Sequence, residues 1–113
     1  KWGKYMKFTL KTGYDFDRGT VVGHNFTGDS FPRMSAAIFT LHGSCQKMKS
    51  LNSDRLYYVL SGEADFIINN KKQVVKTGEL VIVPMNTPYS YTGDMECFLV
   101  HSPAFNKTKE IKL

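Results

Sequence analysis

Two pairs of residues in this chain are spaced so that a β-strand presents both members on one face: Arg55 with Tyr57, and Tyr89 with Tyr91. An arginine offers a planar fork of donors that grips a carboxylate or phosphate in two places, and a tyrosine beside a cation gives up its proton more readily than a free one. Lys49, a point-charge donor, and His101, an acid or base near neutral pH, complete the set of side chains able to do chemistry. The histidines His24, His42 and His101 show no His-x-His or comparable ligand spacing. Cys45 and Cys97 fall in no zinc-type cluster and are too few for a disulfide framework.

The elements that must position these residues are short strands. Helical periodicity is nowhere sustained, whereas segments rich in Val, Ile, Tyr, Phe and Thr recur between Gly, Pro and Asn. The pattern predicts strands near 5–10, 20–22, 35–41, 56–61, 64–69, 73–76, 80–83, 89–91 and 97–101. Asn69-Asn70 reads as a hairpin tip, because Asn tolerates the positive φ of a tight turn, and Ser61-Gly62-Glu63 and Lys76-Thr77-Gly78 read as further turns. Pro84 has no amide hydrogen for a ladder and so ends its strand. The polar tail after Pro103 is expected to pack on the outside or fray. Strands at this spacing predict an all-β sandwich, barrel or jelly roll in a single domain spanning 1–113.

Within that frame, Gly43, Lys49, Leu51, Arg55 and Gly62 stand at the spacing of the first motif of the cupins, and Gly78, Pro84, Asn86, Tyr89 and Gly93 at the spacing of the second. The chain resembles a small single-domain cupin, a double-stranded β-helix or jelly-roll barrel of the RmlC-like kind, most clearly over 35–105. In metal-binding cupins, two histidines, a glutamate and a later histidine hold the ion. Lys49, Leu51, Arg55 and Tyr89 fill those places here. None of the four is a competent ligand for a divalent ion at neutral pH, so no metal and no other cofactor is expected.

The resemblance also implies direction. The family's glutamate faces inward, which turns Arg55, Tyr57 and Val59 into the barrel and Leu56, Tyr58 and Leu60 away from it. Tyr89 and Tyr91 share the inward face, so Lys49, Arg55, Tyr57, Tyr89 and Tyr91 are expected to form a cationic, aromatic-walled pocket over a floor that includes Leu51, Val59 and Val83. A buried cation demands a partner. That partner is a ligand carboxylate or phosphate, or else a protein carboxylate such as Asp54, Glu63 or Asp65. A small, anionic or sugar-like ligand bound without chemistry is the first reading. The alternatives are a metal-independent sugar isomerase or epimerase with Tyr89 and His101 as the catalytic pair, and a homodimeric sensor or scaffold without catalysis.

Composition excludes other classes. With 42% hydrophobic and 22% charged residues the chain is neither disordered nor fibrous, and no apolar run is long enough to span a bilayer or serve as a signal peptide. A cytoplasmic protein is expected, in keeping with two free thiols. The formal charge of +5 is scattered and accompanies no nucleic-acid motif, so neither membrane nor nucleic acid is an expected partner. The apolar segment 2–8, together with the open sheet edges of a small jelly roll, predicts a homodimer. Light scattering at high micromolar concentration is expected to give twice the chain mass, and deletion of residues 1–7 to weaken the pairing; a strictly monomeric mass would count against it.

Overall fold

The computed structural model describes residues 6–113. Eight strands form one antiparallel system: β1 (Tyr14–Asp17), β2 (Val21–Asn25), β3 (Ser35–Ser50), β4 (Asp54–Ile68), β5 (Lys71–Lys76), β6 (Leu80–Val83), β7 (Tyr89–Ser102) and β8 (Glu110–Lys112). Their order is β1-β2-β3-β7-β4-β5, with β6 paired to β4 and β8 to β3. Among the described residues the only helix is one 3-10 turn, Lys107–Lys109, and no helix is long and apolar enough to cross a membrane. The expected all-β jelly roll is the observed one.

Three long strands, β3, β4 and β7, replace the separate short strands read around Gly62 and Gly93. These glycines do not reverse the chain; they bend it. Gly43, Gly62 and Gly93 have φ of 117°, 78° and 156°, and the register sets Gly43 opposite Gly93 and Gly93 opposite Ala64. At Gly62 and Gly93 the backbones approach so closely that an added Cβ would lie 2.1 Å from the Asp94 carbonyl oxygen and 2.5 Å from that of Glu63. A ladder that continues through such a crossing needs residues without a Cβ.

Other expectations are met or corrected locally. Asn69 and Asn70 take φ of 50° and 65° in a two-residue hairpin between Ile68 and Lys71, as expected, and β6 ends at Val83 before Pro84. Residue 5 of the strand expected at 5–10 lies outside the described residues, and 6–10 form no strand. There the Thr9 and Thr12 side chains take up nearby backbone groups, Lys11 N donating to Thr9 Oγ1 at 3.0 Å and Thr12 Oγ1 to the Thr9 carbonyl at 2.8 Å, which closes a turn in place of a ladder. The first strand is instead β1. The tail after Pro103 is no fraying end, since Glu110–Lys112 extends the sheet beside Met48–Ser50.

Inward positions alternate along each strand and meet as one core of Phe39, Leu41, Tyr57, Val59, Phe66, Tyr91, Met95 and Cys97 with their neighbours. The rings of Tyr57, Phe66 and Tyr91 pack with centroids 5.0 to 5.4 Å apart, in the range where aromatic pairs add to simple burial. Val59 and Val83 are buried as expected, but Leu51 lies 41% exposed beyond the end of β3 and is not part of the floor.

The glycine crossing generates a paired stability prediction. Gly78 also has a positive φ, but nothing lies within 4 Å of its added Cβ. Gly78→Ala is therefore expected to cost about 1–2 kcal/mol of backbone strain alone. Gly62→Ala must in addition displace a backbone carbonyl, and urea unfolding is expected to show at least about twice that loss. Equal losses at the two sites would show that the close approach carries no stability.

Candidate functional site

One row of directly paired residues crosses the sheet: Ser35 on β3, His101 on β7, Arg55 on β4 and Val83 on β6. Paired residues project to the same face, so His101 and Arg55 stand side by side inside. Tyr57 and Tyr89 complete the cluster. Arg55 Nη1 donates to the Tyr57 hydroxyl at 3.4 Å and, more closely, to the Tyr89 hydroxyl, and the guanidinium carbon lies 5.2 Å from the centre of the Tyr89 ring.

The negative partner of Arg55 is Glu110. Its Oε1 accepts from Arg55 Nη2 in an ion pair whose two side chains are only 6% and 7% exposed. The three carboxylates considered from the sequence do other things. Asp54 accepts from the Met85 amide at 2.9 Å, Asp65 faces Lys72 at 3.4 Å on the surface, and Glu63 is exposed. Glu110 reaches the barrel because β8 pairs with β3 through Met48↔Lys112, Lys49↔Ile111 and Ser50↔Glu110.

The same register corrects Lys49. Met48 and Lys112 border the cavity, as does Glu110, and Lys49 with Ile111 lies between them on the other face. A bulge is the cause. Cys45 pairs with Tyr91 and Met48 with Tyr89, so β3 spends one residue more than β7 and its parity reverses before Lys49. The structure thus brings together Arg55, Tyr57, Tyr89, Tyr91 and His101, and leaves Lys49 out. The four positions that carry the family's metal ligands do not fit an ion. Leu51 and Lys49 are off the cavity, Arg55 is a cation already paired, and no group of three His, Cys, Asp or Glu among the described residues can hold a metal.

The electrostatics also differ from expectation. Burial raises Tyr89 and Tyr91 well above the usual tyrosine value, and the Arg55 charge, which pulls Tyr89 the other way, is outweighed. Both are phenols, not phenolates. His101 is pushed down to about 3 by burial first and by the Arg55 and Arg18 charges second, so its imidazole is neutral at neutral pH. Its ring packs edge-on against Phe105 at 5.4 Å, and neither ring nitrogen has a hydrogen-bond partner among the described residues. Arg55 Nε and Glu110 Oε2 are likewise buried without partners.

Two connected spaces meet here. An inner cavity of about 50 Å³ is walled by Arg55, Tyr57, Tyr89, Tyr91 and His101. It shares Tyr14, Phe16, Arg18, Cys45, Met48 and Phe105 with an outer cavity of about 720 Å³, whose wall also carries Glu110, Lys107 and Lys112. Reasoning from sequence missed Glu110, Arg18 and the aromatic pair Phe16 and Phe105. Only the alternation of β1, with Tyr14 and Phe16 on one face, could have signalled part of this wall.

Residues 50–102 match the family model of the cupin domain. No curated protein matches. Among solved structures, Pac13 from Streptomyces, described as a nucleoside dehydratase, is 26% identical, with a TM-score of 0.88 over 97% of this chain and 92% of its own. Single-residue variants of that protein, altered at a histidine or a tyrosine, are solved with uridine. KdgF from Halomonas sp. is 14% identical, with a TM-score of 0.78 over 93% of this chain and 99% of that one, a likeness of fold alone.

The neutral, buried His101 has a consequence for acid stability. Between its ordinary value of 6.5 and about 3, the unfolded chain binds a proton at this residue that the folded chain refuses, so stability falls as pH falls through that window. The slope from this one group is at most about 1.4 kcal/mol per pH unit. Urea titrations from pH 7 to pH 4.5 are expected to show a shallower acid decline for His101→Phe than for the parent protein. Superimposable declines would mean that His101 is protonated in the folded state.

Proposed function

The chain belongs to the cupin superfamily, and from that premise we propose that its barrel binds, without a metal, a small hydroxyl-rich molecule built on a sugar ring, a nucleoside in particular. The observation that carries this reading is the set of buried, unpartnered polar atoms on Arg55, Glu110 and His101. Each such atom costs about 1–3 kcal/mol when left unsatisfied. Together they ask for both acceptors and donors, since Arg55 Nε donates, Glu110 Oε2 accepts and the neutral imidazole does one of each. Hydroxyl groups meet all of these needs. A bare carboxylate does not, and the Arg55 charge that was expected to hold one is already neutralised by Glu110.

Size points the same way. The inner cavity takes little more than the edge of a ring, while the outer one takes the rest of a molecule of nucleoside size against aromatic walls. In a ribonucleoside the 2′- and 3′-hydroxyls lie along one edge of the ribose, and the base and C5′ leave from the other. The hydroxyl edge fits the polar inner end and the base fits the aromatic outer wall. The uridine complexes of Pac13 support the choice of ligand class.

A second reading, proton-transfer catalysis, is favoured by the position of His101 and Tyr89 in the wall of one cavity. A neutral imidazole beside a protonated phenol is a base next to an acid, the pair needed to take a proton from one atom and give one to a departing hydroxyl. Elimination of water or epimerisation of a sugar carbon both use such a pair. His101 would act as base and Tyr89 as acid, with Arg55 holding the Tyr89 hydroxyl in place.

Calorimetry with uridine, ribose and uracil tests the binding reading. Uridine is expected to bind below about 1 mM and more tightly than either fragment. Failure of every ribonucleoside and free sugar to bind at that level would refute it. Tyr89→Phe then separates the two readings: a binding module loses at most a few-fold in affinity, whereas an enzyme keeps affinity and loses turnover.

A further inference from the structure

Lining the outer cavity are three cations, Arg18, Lys107 and Lys112, and two carboxylates, Asp17 and Glu110. Glu110 is consumed by Arg55. Asp17 turns one oxygen back to its own loop, accepting from the Gly19 amide at 2.9 Å. None of the ion pairs among the described residues includes Arg18, Lys107 or Lys112. The rim therefore has a surplus of positive charge, with one carboxylate left to oppose three cations.

The cations are also held in place. The Arg18 guanidinium carbon lies 5.4 Å from the ring centre of Phe16 and 5.7 Å from that of Phe105, so two rings from different parts of the chain fix its plane and leave its N–H edge available. Lys112 belongs to β8, anchored opposite Met48 and by the Leu113 amide donating to the Lys47 carbonyl at 3.0 Å. Lys107 begins the short helical turn, whose Asn106 cap accepts from the Thr108 amide at 3.0 Å.

We infer that the ligand is a phosphorylated one, a ribonucleoside 5′-monophosphate whose phosphate lies at Arg18, Lys107 and Lys112. This rests on the nucleoside reading above and extends it. With the 2′,3′-hydroxyl edge directed to the inner cavity, the 5′-carbon points outward into the space these cations border, and a dianionic phosphate there meets the surplus charge. The inner site, by contrast, has no net charge to offer an anion, because Arg55 and Glu110 cancel. The two ends of the cavity thus select for different chemistry, neutral hydroxyls within and a multiply charged group at the rim.

The test compares uridine, uridine 5′-monophosphate, uridine 5′-carboxylate and inorganic phosphate by calorimetry at low and physiological salt. The monophosphate is expected to bind at least about tenfold more tightly than uridine at low salt, with the advantage shrinking as salt rises. Lys107→Gln/Lys112→Gln and Arg18→Gln should each reduce that advantage, weakening the monophosphate by a larger factor than uridine, melting curves verifying that the variants are folded. If uridine binds and the monophosphate binds no better, the phosphate inference is wrong and the nucleoside reading stands. If neither binds, both fall. A tighter monophosphate that is indifferent to all three substitutions would place the phosphate elsewhere and overturn the assignment, and a 5′-carboxylate that equals the monophosphate would replace phosphate by a uronate. Inorganic phosphate alone binding as tightly as the monophosphate would show a generic anion site and likewise overturn it.

Discussion

The buried pair between Arg55 and Glu110 is the constraint on which the interior depends. Either charge alone inside the barrel costs several kcal/mol, and removing one partner of such a pair typically costs about 3–5 kcal/mol because the other is stranded. The pair therefore fixes more than a contact. It ties β8 to β4 across the barrel, leaves the inner cavity neutral overall, and holds the guanidinium where it meets the Tyr57 and Tyr89 hydroxyls. It also uses only part of each group, and the atoms left over on Arg55 and Glu110 are the ones that ask for a ligand.

Protonation follows from this arrangement. Where burial and a nearby cation act on the same residue, burial wins at Tyr89, and the two act together on His101. The cation was expected to make a tyrosine acidic; it instead helps to keep a histidine neutral. A barrel that excludes water thus keeps the Tyr89 phenol protonated to higher pH, and the His101 imidazole free of a proton to lower pH, than either would be when exposed.

How far the sequence was legible depended on whether local rules survive over the stretch in question. Arg55 with Tyr57 and Tyr89 with Tyr91 were placed because each pair sits on a regular run where alternation holds. Lys49 was misplaced because one inserted residue between Cys45 and Met48 reverses parity, and nothing in the residue types marks a bulge. Gly62 was read as a turn because glycine signals an unusual backbone, not the direction of the chain after it. Glu110 could not be found at all. It lies 55 residues from Arg55 on a three-residue strand in a polar tail, and only the folded register shows that this carboxylate, and not Asp54 beside the arginine, enters the barrel.

The short strand β8 has a consequence beyond the present ligand. The jelly roll is built by the long strands and their glycine crossing, whereas Glu110 and Lys112 arrive on a segment joined to β3 by three residue pairs, with Lys107 just ahead of it. Substitutions in that segment can change the polarity of the cavity while the long strands keep their residues. Apart from the Arg55–Glu110 pair, the scaffold and its selectivity are carried by separable stretches of chain, so a barrel of this kind can diversify in what its rim accepts by exchanging residues such as Lys107 and Lys112 at one edge, with little cost to the architecture that holds them.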